Sequence, residues 1–206
     1  MRIAIVGGTG SFGRALTERL AALGYDVVIG SRDAERAAEL GAVYGAEGKA
    51  NIDAVQGVDL VVLATKSSAS LDTARELATA IGTTPVLCVA SDLQFGPEGV
   101  LPGRLGTSIA EEVAEILSAP VAAGLHTLAA AHLMQRNPPE EDALICGNDV
   151  AVKGIALELA DRLVAGRAID AGPLANARAL EGLTAIILNV NKRYRAHAGI
   201  RVTGLE

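Results

Sequence analysis

Ile3-Ala4-Ile5-Val6-Gly7-Gly8-Thr9-Gly10-Ser11-Phe12-Gly13 decides the fold. Four apolar residues in an unbroken run are the pattern of a parallel strand buried on both faces. Gly8-x-Gly10-x-x-Gly13 follows at once, and Leu16, Leu20 and Leu23 then recur at helical spacing. Strand, glycine loop and helix in that order describe the first turn of a dinucleotide-binding unit. Gly8 is expected to make the tight turn, Gly10 to let backbone approach a pyrophosphate, and Gly13 to bring helix close to strand. The free N–H groups at Ser11 and Phe12 would then face the anion. Taken alone, the glycines also fit an ordinary strand-to-helix turn.

The next strand supplies the second half of the reading. Asp26-Val27-Val28-Ile29-Gly30 ends on Ser31-Arg32, with Arg36 one helical turn further on. A site for NAD offers a carboxylate here to the ribose 2′-hydroxyl, and that carboxylate would repel a 2′-phosphate. Ser31 and Arg32 can instead donate to one, and Arg36 lies on the same helical face as Arg32. The pattern predicts NADP. Asp33 is expected to cap the helix over residues 34–40.

Beyond this point strands and helices keep alternating. Apolar runs predict strands over residues 59–65, 85–90, 121–127, 143–147 and 167–170, and helices over 70–80, 107–117, 150–163 and 174–195. This is the pattern of an α/β protein, a Rossmann-type doubly wound parallel sheet. The 206 residues suit a single NADP-binding domain. Its C-terminal part, from about residue 120, forms a small extension with a long helix. The last helix carries Leu180, Leu183, Ile187, Leu188 and Val190, an apolar face broader than one sheet contact needs, which predicts a homodimer.

Composition narrows the class. The chain has 18 basic against 24 acidic residues and a net charge of −6, with no basic block, so nucleic acid is not an expected partner. No uncharged apolar run reaches membrane-spanning length, and the N-terminus enters a strand without a signal-peptide pattern, so the expected location is the cytoplasm. Cys88 and Cys146 lie in strand-like runs and read as buried apolar residues; three histidines without paired spacing do not support a metal. His126 closes an apolar strand, where a histidine commonly bonds a neighbouring carbonyl. His132 reads as part of an apolar helix start, His197 as a solvated tail residue and Asp170 as a turn former.

Several segments together resemble the coenzyme F420-dependent NADP oxidoreductases, over nearly the whole chain. They are the opening Met1 to Gly10, Gly30-Ser31-Arg32, Leu125-His126-Thr127 and Cys146-Gly147-Asn148-Asp149. More specific is Asp170-Ala171-Gly172-Pro173-Leu174-Ala175-Asn176-Ala177-Arg178, leading into Leu183-Thr184-Ala185-Ile186-Ile187-Leu188-Asn189. The resemblance implies direct hydride transfer between NADPH and the deazaflavin coenzyme F420, with the two rings stacked face to face. Such a reaction asks the protein for distance, orientation and exclusion of water more than for side-chain chemistry.

On this basis Thr9, Ser31, Arg32 and Arg36 hold the phosphates of NADP, with Thr65, Lys66 and Ala90 from the following loops. His126, the candidate catalytic residue, and Leu128 line the meeting point of the rings. Gly172, Pro173, Leu174 and Asn176 shape the far wall. The chain departs from the family in two loops. Ala64-Thr65-Lys66-Ser67-Ser68-Ala69-Ser70 stands where a proline and a bulky residue are usual, and Ala90-Ser91-Asp92-Leu93-Gln94-Phe95 where a proline-bearing turn is usual. That polarity leaves room for another small acceptor such as a pterin, flavin or imine, contacted by Lys66, Ser67, Ser91 or Asp92. A non-catalytic NADP-binding protein is the third reading.

Overall fold

The computed structural model describes residues 1–103 and 106–205. Its centre is the strand that the opening run predicted. β1 (Arg2–Val6) buries Ile3, Ala4, Ile5 and Val6 completely, and successive side chains enter opposite faces. Ile3 and Ile5 join the core under α1 (Ser11–Ala22) and α7 (Val150–Leu163). Ala4 and Val6 join the core under α3 (Asn51–Ala54), α4 (Ser67–Ile81), α5 (Ile109–Ile116) and α8 (Ala177–Tyr194). Burial of each such isoleucine contributes about 1.5–3 kcal/mol.

β1 pairs on one side with β2 (Asp26–Ser31) and on the other with β4 (Leu60–Leu63). The eight-stranded sheet has the order β3-β2-β1-β4-β5-β8-β9-β10. Here β3 is Glu47–Ala50, β5 is Val86–Cys88, β8 is Val121–Gly124, β9 is Ala143–Gly147 and β10 is Ala168–Asp170. The chain runs outward from β1 to β3 and then returns to β4. The gap between β1 and β4 is therefore the topological switch point, where open α/β sheets bind ligands.

Three features depart from the sequence expectations. β3 was not predicted because Glu-Gly-Lys-Ala has no apolar pattern; it forms through its register with β2, with α2 (Ala34–Tyr44) packed over it. The chain after β5 makes an antiparallel hairpin, β6 (Leu93–Gly96) and β7 (Gly99–Pro102), in a stretch that carried no strand expectation. Most consequential, β8 pairs antiparallel with β9, and β10 runs parallel to β9, so the last two strands oppose the rest of the sheet. The sheet is mostly parallel and not wholly so.

The expected C-terminal helix is present with a break in its first turn. Leu174–Asn176 form a 3-10 turn before α8 begins. Part of the broad apolar face of α8 is covered by the hairpin: the Asn189 side chain accepts from Val100 N at 2.9 Å and donates to Val100 O at 2.7 Å, acting as the missing strand neighbour of β7. Ile186 on α8 and Phe95 and Leu101 on the hairpin remain exposed. No helix among the described residues is long and apolar enough to cross a membrane.

Candidate functional site

The loop after β1 turns on Gly7 and not, as expected, on Gly8. Gly7 has φ +83°, in the left-handed region that favours glycine, and a Cβ there would meet Ala64 O at 2.7 Å. Gly13, expected to bring the helix close to the strand, makes its close contact with the loop: a Cβ would lie 2.6 Å from Gly7 O and 2.7 Å from Gly8 Cα. The first turn of α1 consequently stands over the loop, with the N–H groups of Ser11, Phe12 and Gly13 not used by the helix itself. The Phe12 side chain packs partly into the core beneath α1, so only its backbone is offered to an anion.

A cavity of about 420 Å³ opens beside this loop, at the carboxyl ends of β1, β2 and β4. Its lining brings together Gly7, Thr9, Gly10, Ser31, Arg32 and Arg36 with Thr65 and Lys66. Ser31 is buried at the end of β2; its hydroxyl accepts from Asp33 N at 3.2 Å and lies 3.4 Å from the Thr9 hydroxyl. Asp33 caps α2 as predicted, accepting from Arg36 N at 3.0 Å. Arg32, Asp33 and Arg36 are all exposed and line the cavity together.

Asn51 also lines this cavity, with its Oδ1 buried and unpartnered, and so does Thr73. Neither was foreseen. Asn51 follows the polar strand β3, and only the pairing of β3 with β2 carries it beside Ser31.

Further along the same sheet edge lie Ala90, His126 and Leu128, past the carboxyl ends of β5 and β8. The chain leaves β8 through Leu125, whose φ of +63° is uncommon for leucine and marks local strain. That turn places His126 with 7% exposure and both ring nitrogens without a hydrogen-bond partner; the neighbouring Thr127 Oγ1 is also buried and unpartnered. Burial pulls the His126 imidazole down to about 4, opposed only by the Ala90 backbone, so it is neutral at physiological pH. Three orphaned buried polar atoms in adjacent residues leave hydrogen-bonding capacity that a ligand in the crevice can satisfy.

Gly172, Pro173 and Leu174 are not brought to this crevice. Because β9 opposes β8, Ile145 faces Gly124 while Gly147 faces Ala122, further from the carboxyl edge. Gly147 N donates to Gly172 O at 3.0 Å and Leu174 N to Asn148 Oδ1 at 3.0 Å. The segment thus sits toward the amino ends of the parallel strands, where Leu174 fills core and Asn176 bonds Ala171 O. None of these three residues lines the nucleotide cavity. Asp170 behaves as the turn former expected, accepting from Gly172 N and pairing with Lys153.

The other titratable groups are structural. His132 is buried with its Nδ1 2.8 Å from Glu141 Oε1, and the exposed His197 packs edge-on against its ring. Cys88 and Cys146 are free and buried, and burial raises both thiols to about 12, which keeps them unreactive. Among the described residues no cluster of three or more ligands could hold a metal.

A glycine loop, a helix N-terminus and paired arginines at the switch point define a Rossmann-class nucleotide-binding protein whose site fits NADP. The family model described as "NADP oxidoreductase coenzyme F420-dependent" matches residues 2–90. Over its full length the chain is 34% identical to the F420-dependent NADP reductase of Methanothermobacter thermautotrophicus, covering 96% of that protein. It is 33% identical to the reductase of the same name from Methanocaldococcus jannaschii, covering all of it. The chain belongs to the F420-dependent NADP reductase family. In fold it matches a solved protein from Arthrobacter sp. FB24, provisionally named an F420-dependent NADP reductase, with a TM-score of 0.88 and 24% identity over 99% of this chain and 100% of that one.

Proposed function

We propose that the chain catalyses hydride transfer between NADPH and coenzyme F420, with His126, Leu128 and Ala90 lining the place where the two rings meet. The observation that carries this reading is the NADP-type cavity of Ser31, Arg32 and Arg36 on a chain that aligns end to end with F420-dependent NADP reductases. The two cofactors supply donor and acceptor of the hydride. The protein's part is to bind, orient and dry. The N–H groups of Ser11, Phe12 and Gly13 take the pyrophosphate, while Arg32 and Arg36 take the adenosine 2′-phosphate. The buried, neutral His126 offers a hydrogen bond to the acceptor side without bringing a charge that would disturb the transfer.

The exposed apolar side chains Ile186, Phe95 and Leu101, on α8 and the hairpin that packs on it, support the expectation of a homodimer, which light scattering on the eluted protein would test. Two unpaired, unreactive cysteines suit a reducing compartment such as the cytoplasm. The main test is direct: purified protein mixed with NADPH and F420 should bleach the deazaflavin absorbance. No change would overturn the proposal. The pterin, flavin and imine readings drew on Lys66, Ser67, Ser91 or Asp92 as acceptor contacts. Lys66 lines the nucleotide cavity instead, and Asp92 lies at the base of the hairpin against Gly103.

A further inference from the structure

We propose that Lys66 is a third cation on the adenosine 2′-phosphate and a determinant of NADP over NAD, acting from the β4–α4 turn. The inference rests on the nucleotide reading above and deepens it.

The three cations reach one cavity from two directions. Arg32 and Arg36 follow β2, whereas Lys66 stands in the turn between β4 and α4. No ion pair among the described residues engages any of the three, although Arg2, Lys49, Lys153 and Arg167 all have carboxylate partners. Acidic residues outnumber basic ones in this chain, 24 to 18, whereas this cavity is lined by three cations outside any ion pair and one carboxylate, Asp33, a net positive field that an anion would answer.

The Lys66 backbone is tightly held and its side chain is not. The Lys66 carbonyl accepts from Ser70 Oγ at 3.0 Å and from Ala69 N at 2.9 Å, and the Ser70 hydroxyl lies 2.9 Å from that of Thr65. A fixed stem with a long flexible ammonium suits a phosphate in the middle of the cavity. Gly7, Thr9 and Gly10 of the glycine loop line the same cavity; in this fold the ribose 2′-position stands at the end of β2, beside Arg32 and Arg36, and the Lys66 ammonium is assigned to that end. Its charge would then tie the β4–α4 turn to the β2–α2 turn only when the 2′-phosphate is present.

The test is calorimetric titration of Lys66→Ala and Lys66→Arg with 2′-AMP, 5′-AMP, NADP and NAD. Lys66 is exposed, so neither variant should change thermal unfolding. Loss of a charged hydrogen bond to phosphate predicts that Lys66→Ala binds 2′-AMP and NADP about tenfold more weakly, with 5′-AMP and NAD unchanged and most of the affinity kept by Lys66→Arg. Equal losses for NAD and NADP would move Lys66 to the pyrophosphate and overturn the proposal, as would no loss at all. A parent protein that binds NAD as tightly as NADP would instead overturn the nucleotide reading on which it rests.

Discussion

The Thr184 hydroxyl, on α8, donates to the carbonyl oxygen of His126 at 2.9 Å and stands 3.0 Å from the hydroxyl of Ser91. The long C-terminal helix therefore holds the strained turn at Leu125 in place, from 58 residues further along the chain. Thr184→Val keeps the shape and removes the donor. Leaving the His126 carbonyl unpaired should cost about 1–3 kcal/mol in urea unfolding and slow hydride transfer with little change in NADP affinity; Thr184→Ser should restore both. An unchanged transfer rate in Thr184→Val would show that the anchor is dispensable.

His126 makes stability depend on pH in a definite direction. Its pKa falls from 6.5 to about 4 on folding, so between those values the unfolded chain binds more protons than the folded one. Its contribution is intact above pH 6.5 and is lost as pH falls toward 4. Denaturant midpoints measured across that window should drop on acidification, and the drop should shrink in His126→Asn. Transfer rates above pH 7 should be flat with respect to this group.

Arg32 tests the nucleotide preference from the β2 side. Removing one charge-assisted partner of a phosphate costs about 1.5–3 kcal/mol, so Arg32→Ala should lose tenfold or more in NADP affinity. NAD affinity should barely move. Equal losses would mean that the Ser31-Arg32 pair does not read the 2′-phosphate.

Asp142 holds the C-terminal tail. Fully buried, it accepts from Arg167 N and Nη2 at 2.9 Å and from Val202 N at 2.8 Å, and the Arg167 guanidinium beside it holds its carboxyl down at about 2. Arg167 also donates to the Val202 and Leu205 carbonyls. Because the folded pKa lies below the ordinary 3.8 of an aspartate, this stabilisation is present above that value and fades as pH falls toward 2. Asp142→Asn should raise hydrogen exchange at residues 198–205 by about tenfold or more, since it breaks charged hydrogen bonds. Protection equal to the parent would count against the anchor.

Three segments depart from the sequence reading, for related reasons. The far wall of Gly172-Pro173-Leu174 rested on the family resemblance, within a sheet expected to be parallel throughout. Nothing in Ala-Leu-Ile-Cys-Gly distinguishes an antiparallel β9 from a parallel one; only its register with β8 does. β3 and the hairpin carry too few apolar residues to announce themselves, and they form because β2 and Asn189 supply hydrogen-bond partners from far along the chain. Asn51 and Thr184 were invisible as site residues for the same cause.

What the sequence determined by itself is the donor half of the protein. Strand, glycine loop, helix and the Ser31-Arg32 pair are contiguous, and each works through local backbone geometry or a fixed spacing, so one linear reading recovers them. The tertiary structure alone decided that Asn51 joins the nucleotide cavity, where the last two strands point, and how deeply His126 is buried. Those outcomes depend on pairings between distant segments whose apolar patterns are alike, and the free energy that chooses among such pairings lies in contacts that no single stretch of sequence contains.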